Sequence, residues 1–319
     1  MRRRKGGDAG QRSGEMIRKI VGLLLVSLWA LGSLNAELTE EQLKVPLEVE
    51  PTDPSQAKIV FIAGSPSNKP GQHEYFAGCA LMSKWVRGVP NVATVMVANG
   101  WPQKADLLSG ARCVVLYMDG GDKLPFLSPE RWAVMQKLVD AGTGFVVLHQ
   151  AVDCPADRAT DFKKWFGAVF QKDIGCRGHW DVSFDRVEAH PITAGMSPFE
   201  LKKDGWLYNL HFSESGVSPV LSAVMPESSR SSADAKAHPG RSEAVAWAFE
   251  RAGGGRSFGF TGCDLHQNWD VAAQRQLLIN GILWAAKVPL METKAVPAVT
   301  QGEMAQNLDR KIFLPKKKK

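Results

Sequence analysis

The sequence has no GxGxxG turn, no HExxH pair and no CxxC pair. The first absence removes the nicotinamide-binding fingerprint, because the loop after the first apolar strand, GSPSNKPG, lacks that glycine spacing. Any oxidation of a substrate would then fall to a separate partner enzyme. The second removes the ready-made zinc helix of a metalloprotease. The five cysteines, Cys79, Cys113, Cys154, Cys176 and Cys263, are an odd number and allow at most two internal bridges. Cys113 lies in an apolar strand pattern and Cys79 in a helical stretch, where buried thiols are the default. No internal repeat and no Pro/Ser-rich linker divides the chain.

Charge of one sign is lacking from the body. Residues 1–36 hold seven Lys or Arg against two acids, and Arg310 to Lys319 add six bases and no acid; what lies between has 26 bases and 31 acids. A mildly acidic body excludes a nucleic-acid footprint, which needs clustered bases. The run Lys316 to Lys319 reads as a solvated end. Only one long apolar run occurs, Ile20 to Leu34, preceded by Arg18 and Lys19 and closed by Asn35 and Ala36. That order reads as a secretory signal peptide cleaved near Ala36, with Met1 or Met16 as its start. The run is short for a transmembrane anchor. The expected organisation is a signal peptide over 1–36, an N-terminal extension over 37–57, one domain over 58–288 and a loose basic tail over 289–319. Export places the mature chain in the periplasm or outside the cell.

What is present is an alternation of strands and helices. Lys58 to Ala63, Val92 to Val97, Arg112 to Met118 and Gly144 to Gln150 (GFVVLHQ) are short, largely apolar runs of the kind buried on both faces in a parallel sheet, the last delivering His149 to the sheet's carboxyl edge. Helices are predicted from about Tyr75 to Arg87 and after Ser128, with Ser128 as cap and Pro129 in the first turn. Phe162, Trp165, Phe166 and Val169 mark a short amphipathic helix. Gly175 to Asp185, around the GHW triplet, reads as polar loop. Val220 to Val224, Glu243 to Phe249 and Arg256 to Thr261 read as further strands, and Asp270 as the cap of a last helix. Such alternation implies an α/β fold, a mostly parallel sheet with helices on both faces, and an irregular insertion over its carboxyl edge.

Ligands of open α/β sheets bind at that edge. His73 and Glu74 follow the first strand, Asp119 the third, His149 the fourth and His266 the last, while His179, Trp180, Tyr208 and Asn209 lie in the insertion. Imidazoles, carboxylates and aromatic faces, Trp269 among them, suit a polar ring such as a sugar.

The segments KIVFIAGSPSNKPGQHEYFAGC, VVLYMDGG, FVVLHQAVDCP, RGHWD, HPITAG, GWLYNLHF, EAVAWAFERAGGGRSFGFTG and RQLLINGILWAA resemble the trehalose-utilisation (ThuA-like) family, itself similar in fold to class I glutamine amidotransferases. The resemblance implies a flavodoxin-like sheet, a link to carbohydrate catabolism, and site positions at His73, Asp119, His149, His179, Tyr208, Asn209, Glu243 and His266. It also shows two departures: Asp264 stands where the family often has histidine, and Asp122 and Lys123 where it often continues with glycine and histidine. Glutamine hydrolysis is excluded by chemistry, since the turn that would carry a nucleophilic cysteine carries His149.

The expected roles follow. His149, His179, His266 and Asp119 are catalytic; His73, Glu74, Tyr208, Asn209, Glu243, Trp180 and Trp269 hold substrate; His149, His179, Asp264 and His266 would ligate a divalent metal, zinc foremost. Each has a plainer alternative: Glu74 as a helix cap, Glu243 as an ion-pair partner of Arg241 or Arg256, the tryptophans as core. Three functions remain open at this point: an enzyme hydrolysing or eliminating a disaccharide or keto-glycoside, a sugar-binding protein of the cell envelope, and an envelope interaction module docking through the residues after Pro289.

Overall fold

The computed structural model describes residues 37–104, 106–290 and 296–311; the signal-peptide segment and the Lys316 to Lys319 run lie outside the described residues. The first half folds as its alternation dictates: β1 (Ala57–Ala63), α1 (Tyr75–Arg87), β2 (Val92–Val97), β3 (Cys113–Tyr117), α2 (Pro129–Asp140), β4 (Gly144–Leu148) and α3 (Ala159–Phe166). Ser128 caps α2 by accepting from the Arg131 N–H, and Gly142, at φ 75°, takes the left-handed turn that ends it.

The second half supplies β5 (Ala168–Val169), β6 (Cys176–Phe184), β7 (Phe199–Tyr208), β8 (His211–Phe212), β9 (Val217–Val224), α4 (Ala233–Ala237), β10 (Ser242–Glu250), β11 (Arg256–Phe260), α5 (Ala272–Ala285) and α6 (Gln301–Met304). The main sheet runs β2-β1-β3-β4-β11-β10-β9. Its first five strands are parallel and β10 is antiparallel to both neighbours. The parallel part has the 2-1-3-4-5 order of flavodoxin-like folds, whose ligands sit where the order reverses, beside β1 and β3.

Strand alternation divides the core in two. Ile59, Phe61, Val146 and Leu148 face α1 and α5, while Val60, Ile62, Phe145 and Val147 face α2 and α3. Both faces are therefore covered, which is why these strands read as continuous apolar runs.

Three expectations are corrected. The GHW segment is strand β6, paired with β7 in an antiparallel ribbon that has a bulge between Trp180 and Val182. Its glycine and charges hid the alternation because its outward positions face water. Asp270 does not cap α5: its carboxylate accepts from Gln301 and its carbonyl from Arg275. Residues 296–311 are no loose tail, since Met304 and Asp309 are buried against the domain. All five cysteines are buried free thiols. Among the described residues no helix is long and apolar enough to cross a membrane.

Candidate active site

Four loops at the carboxyl edge bring His73, Asp119, His149 and Asp264 together. His149 directly follows β4 and opens a tight helical turn at φ 55°; His73 sits at φ 50°, and Cys263, next to Asp264, at φ 77°. A non-glycine residue in this region gives up roughly 1 kcal/mol or more and stays there only where its surroundings over-determine it. Those surroundings are identifiable. The His73 N–H donates to the Asp264 carbonyl at 3.0 Å. The fully buried Asp204 on β7 accepts from the N–H groups of Cys263 (3.1 Å) and Leu265 (2.9 Å), fixing the loop between them. Gly205 lets β7 come this close, because a Cβ there would lie 2.7 Å from Cβ of Asp264.

The ring nitrogens are set from behind. Nδ1 of His149 faces the Thr261 carbonyl at 2.9 Å, and a carbonyl can only accept, so the proton sits on Nδ1 and the Nε2 lone pair points into the site. Nδ1 of His73 faces Oδ1 of Asp119 at 3.1 Å, an oxygen that also accepts from Ser67 (2.8 Å) and Tyr75 (2.6 Å). The other Asp119 oxygen takes Lys123 at 2.7 Å. What meets in the middle is Nε2 of His73, Nε2 of His149 and Oδ1 of Asp264. Their separations are 3.1 Å between the two nitrogens, and 3.0 and 3.6 Å from the oxygen to His73 and His149. Oδ1 of Asp264 is buried and accepts no well-aligned hydrogen bond among the described residues. Its Oδ2 is taken by His179 (2.7 Å) and Gln72 (2.9 Å).

The charges follow from this arrangement. Burial, and then the neighbouring His73, push His149 down to about 4, so it is neutral at pH 7. Burial opposes charge on His73 too, but the Asp119 and Asp264 carboxylates outweigh it and raise its pKa. Burial would likewise raise Asp119, yet hydrogen bonds from His73, Lys123, Tyr75 and Ser67 hold it well below the usual carboxylate range. Asp264 is held at about 2 by His73, His149 and His179 against the same burial.

Nε2 of His73, Nε2 of His149 and Oδ1 of Asp264 face one another within 3.6 Å, and their repulsion is relieved either by a proton on His73 shared with Asp264 at 3.0 Å or by a cation between the three. The triad His73, His149 and Asp264 is the one group of metal-type donors of this compactness among the described residues. A tetrahedral zinc with ligands near 2.0–2.1 Å has donor–donor edges of roughly 3.3 Å, which these separations bracket. The carboxylate behind His73 and the carbonyl behind His149 are the outer contacts that ligating histidines use. The residues therefore fit a metal.

Other expected positions lie elsewhere. Nε2 of His266 faces the Met304 carbonyl at 2.9 Å, away from the triad, so His266 is neither ligand nor catalyst in this arrangement. Glu74 accepts from Gly71 and Asp309, a structural use. Tyr208 bonds Ser229, and Asn209 bonds Ile174 and Asp234. Glu243 pairs with Arg230 and Arg241, both at 3.0 Å. Trp269 is fully buried against Trp85 and Tyr117, and Trp180 leans on Tyr208. His179 remains at the site through Asp264 but outside the triad, its ring half-exposed at the mouth. His73, expected to hold substrate, is the third donor. Ser67, Gln72, Tyr75 and Asp204 escaped the sequence reading; the proximity of Ser67 and Tyr75 to His73 was the only signal available.

Space is divided. The cavity at the triad, lined by Asn68, Gln150, Arg177, His179 and Trp206 besides the triad itself, holds about 80 Å³. A second cavity of about 330 Å³ opens on the other side of Asp119, along Gly64 to Ser67 and Lys123. The triad cavity admits one functional group rather than a whole sugar ring, smaller than the crevice the sequence suggested.

A flavodoxin-like α/β sheet with a cluster of imidazoles and carboxylates at its switch point defines the class. The trehalose-utilisation (ThuA) family profile matches residues 68–285, and the chain belongs to that family, which is linked to carbohydrate metabolism. No curated protein matches the sequence. Among solved structures, a putative ThuA-like protein from Parabacteroides merdae is similar over 80% of this chain and 98% of its own, at 15% identity and TM-score 0.54. Another from Bacteroides uniformis covers 74% and 94%, at 12% identity and TM-score 0.54. At these identities the likeness is one of fold.

Proposed function

We propose that this protein is an exported enzyme of carbohydrate catabolism that acts on a disaccharide or glycoside, in its keto form where a partner has oxidised it, through a metal held by His73, His149 and Asp264. The observation that carries the reading is the convergence of three buried metal-type side chains, each fixed from behind, at the carboxyl edge of the sheet. Bound there, zinc would supply a Lewis acid for a carbonyl or hydroxyl oxygen. The rest of the chemistry belongs to the side chains. His149 is neutral and rigid, with its tautomer fixed by Thr261. Asp119 orients His73 and stays ionised. His179, half-exposed and donating from Nε2 to Asp264, would accept a proton from a substrate carbon or hydroxyl on Nδ1 and return it to the leaving oxygen. Arg177 lines the mouth beside it. Bond cleavage is then hydrolysis, or elimination where a ketone acidifies the neighbouring C–H.

The test is metal analysis of the purified protein, followed by a screen of disaccharides and their keto derivatives with and without a strong chelator. Turnover that needs the metal supports the reading; protein free of metal and indifferent to the chelator sinks it. The cavity of about 330 Å³ on the other side of Asp119, which has room for a sugar ring and is not lined by the triad, supports one competing reading, a sugar-binding protein. Binding without turnover by both wild type and His149→Ala would select it.

A further inference from the structure

The family match ends at residue 285, yet the chain continues and returns to the site. Thr300 opens α6 with a reciprocal cap to Glu303, Met304 is buried, and its carbonyl accepts from His266. The Asp309 N–H then donates to Glu74 at 2.7 Å, and one Asp309 oxygen accepts the Tyr75 N–H at 2.9 Å. That N–H is the first of α1, whose own N-cap residue Glu74 makes no side-chain cap. Asp309 thus caps the helix from 234 residues away. Lys311 goes further: its ammonium donates to the carbonyls of Ser67 and His73, both at 2.8 Å. Its side chain is 2% exposed, with Asp309 at 3.6 Å and Glu74 at 3.8 Å balancing its charge.

The groups that Asp309 and Lys311 touch on α1 and the loop before it lead to His73. Ser67 and Tyr75 both hydrogen-bond Asp119, the carboxylate behind the His73 ring, and the His73 carbonyl belongs to the left-handed residue itself. We propose that residues 300–311 form a strap that holds the His73 loop in ligating geometry, with Lys311 as its positioning residue. The metal part of this inference rests on the function proposed above; the clamping of the loop does not. A buried lysine spent on two backbone carbonyls, one of them that of the left-handed His73, has no use in a passive tail, because desolvating an ammonium is expensive and exposed ends avoid it.

The experiment compares the full-length mature protein with its Lys311→Ala and Lys311→Arg variants. Amide hydrogen exchange is read over residues 67–75, and zinc affinity by competition with a chromogenic chelator. Lys311→Ala is expected to speed exchange over 67–75 at least tenfold and weaken zinc binding at least tenfold, with exchange in β3 and β4 unchanged. Lys311→Arg, which keeps a cationic donor, should recover most of both. Unchanged exchange over 67–75, or acceleration spread evenly over the sheet, overturns the strap. Wild type that takes up no zinc overturns the metal reading, while the exchange comparison still decides the strap. Should Lys311→Ala fail to fold, Lys311→Gln, with its neutral donor, is read by the same two measurements and the same criteria.

Discussion

Two polar clusters in this molecule, one partly and one wholly buried, look alike as residue lists and differ in their chemistry. One joins Arg230, Arg241, Glu243, Asp234 and Asn209 in the second half of the chain; the other joins His73, His149, Asp119 and Asp264 at the sheet edge. In the first, donors match acceptors: Arg230 and Arg241 both serve Glu243, and Asn209 donates to Asp234. Nothing is left over for a ligand. In the second, two imidazole nitrogens and a carboxylate oxygen converge on one point, with the His73 proton and the Asn68 and Gln150 amides at 3.4–3.5 Å from His73 as the protein donors there. A saturated cluster stabilises a fold, whereas a cluster with its electron pairs turned inward waits for a cation. Residue type does not separate the two; the direction of the electron pairs does.

The comparison can be broken at either end. Asp264→Asn should have the largest effect, lowering zinc affinity by on the order of 100-fold, about 2.8 kcal/mol at 1.4 kcal/mol per decade, and leaving the melting temperature nearly unchanged. Calorimetric titration with zinc checks it, and retained affinity would place the ion elsewhere. Glu243→Ala should do the reverse: it leaves Arg230 without its buried partner and costs roughly 2 kcal/mol of stability, with zinc affinity intact. Denaturant unfolding measures this, and a change in zinc affinity would merge the two clusters into one. Next comes Asp119→Asn, which keeps the shape behind His73 but loses the charge; a fall of about tenfold in zinc affinity is expected. The smallest effect belongs to His266→Gln. Its ring serves the Met304 carbonyl, so zinc affinity should move by less than about twofold, and stability by about 1 kcal/mol. A tenfold loss of zinc there would return His266 to the ligand set.

Much of the sheet was legible because buried parallel strands are continuous apolar runs, and GFVVLHQ announced both a strand and a histidine at its end. The β6–β7 ribbon was not, since one of its faces is wet and Gly178 and Asp181 interrupt its alternation. Within the site, the loop positions of His73, Asp119 and His149 could be read, but their mutual directions could not. Nothing local distinguishes His73 as a donor to the triad from His266, which follows a strand of the same sheet and turns the other way. Asp204, Asp309 and Lys311 act across long sequence separations through backbone groups, and such contacts leave no periodic trace. Glu243 shows the converse, a charged residue at a strand start that the resemblance marked and that its ion pairs account for.

The central claim is that His73, His149 and Asp264 hold one metal ion. Zinc K-edge absorption of the protein loaded with one equivalent tests it most directly. The account predicts one tightly held zinc per chain, with two imidazole nitrogens and a carboxylate oxygen at about 2.0–2.2 Å. A protein that binds no zinc, or binds it through sulfur at about 2.3 Å, would contradict it.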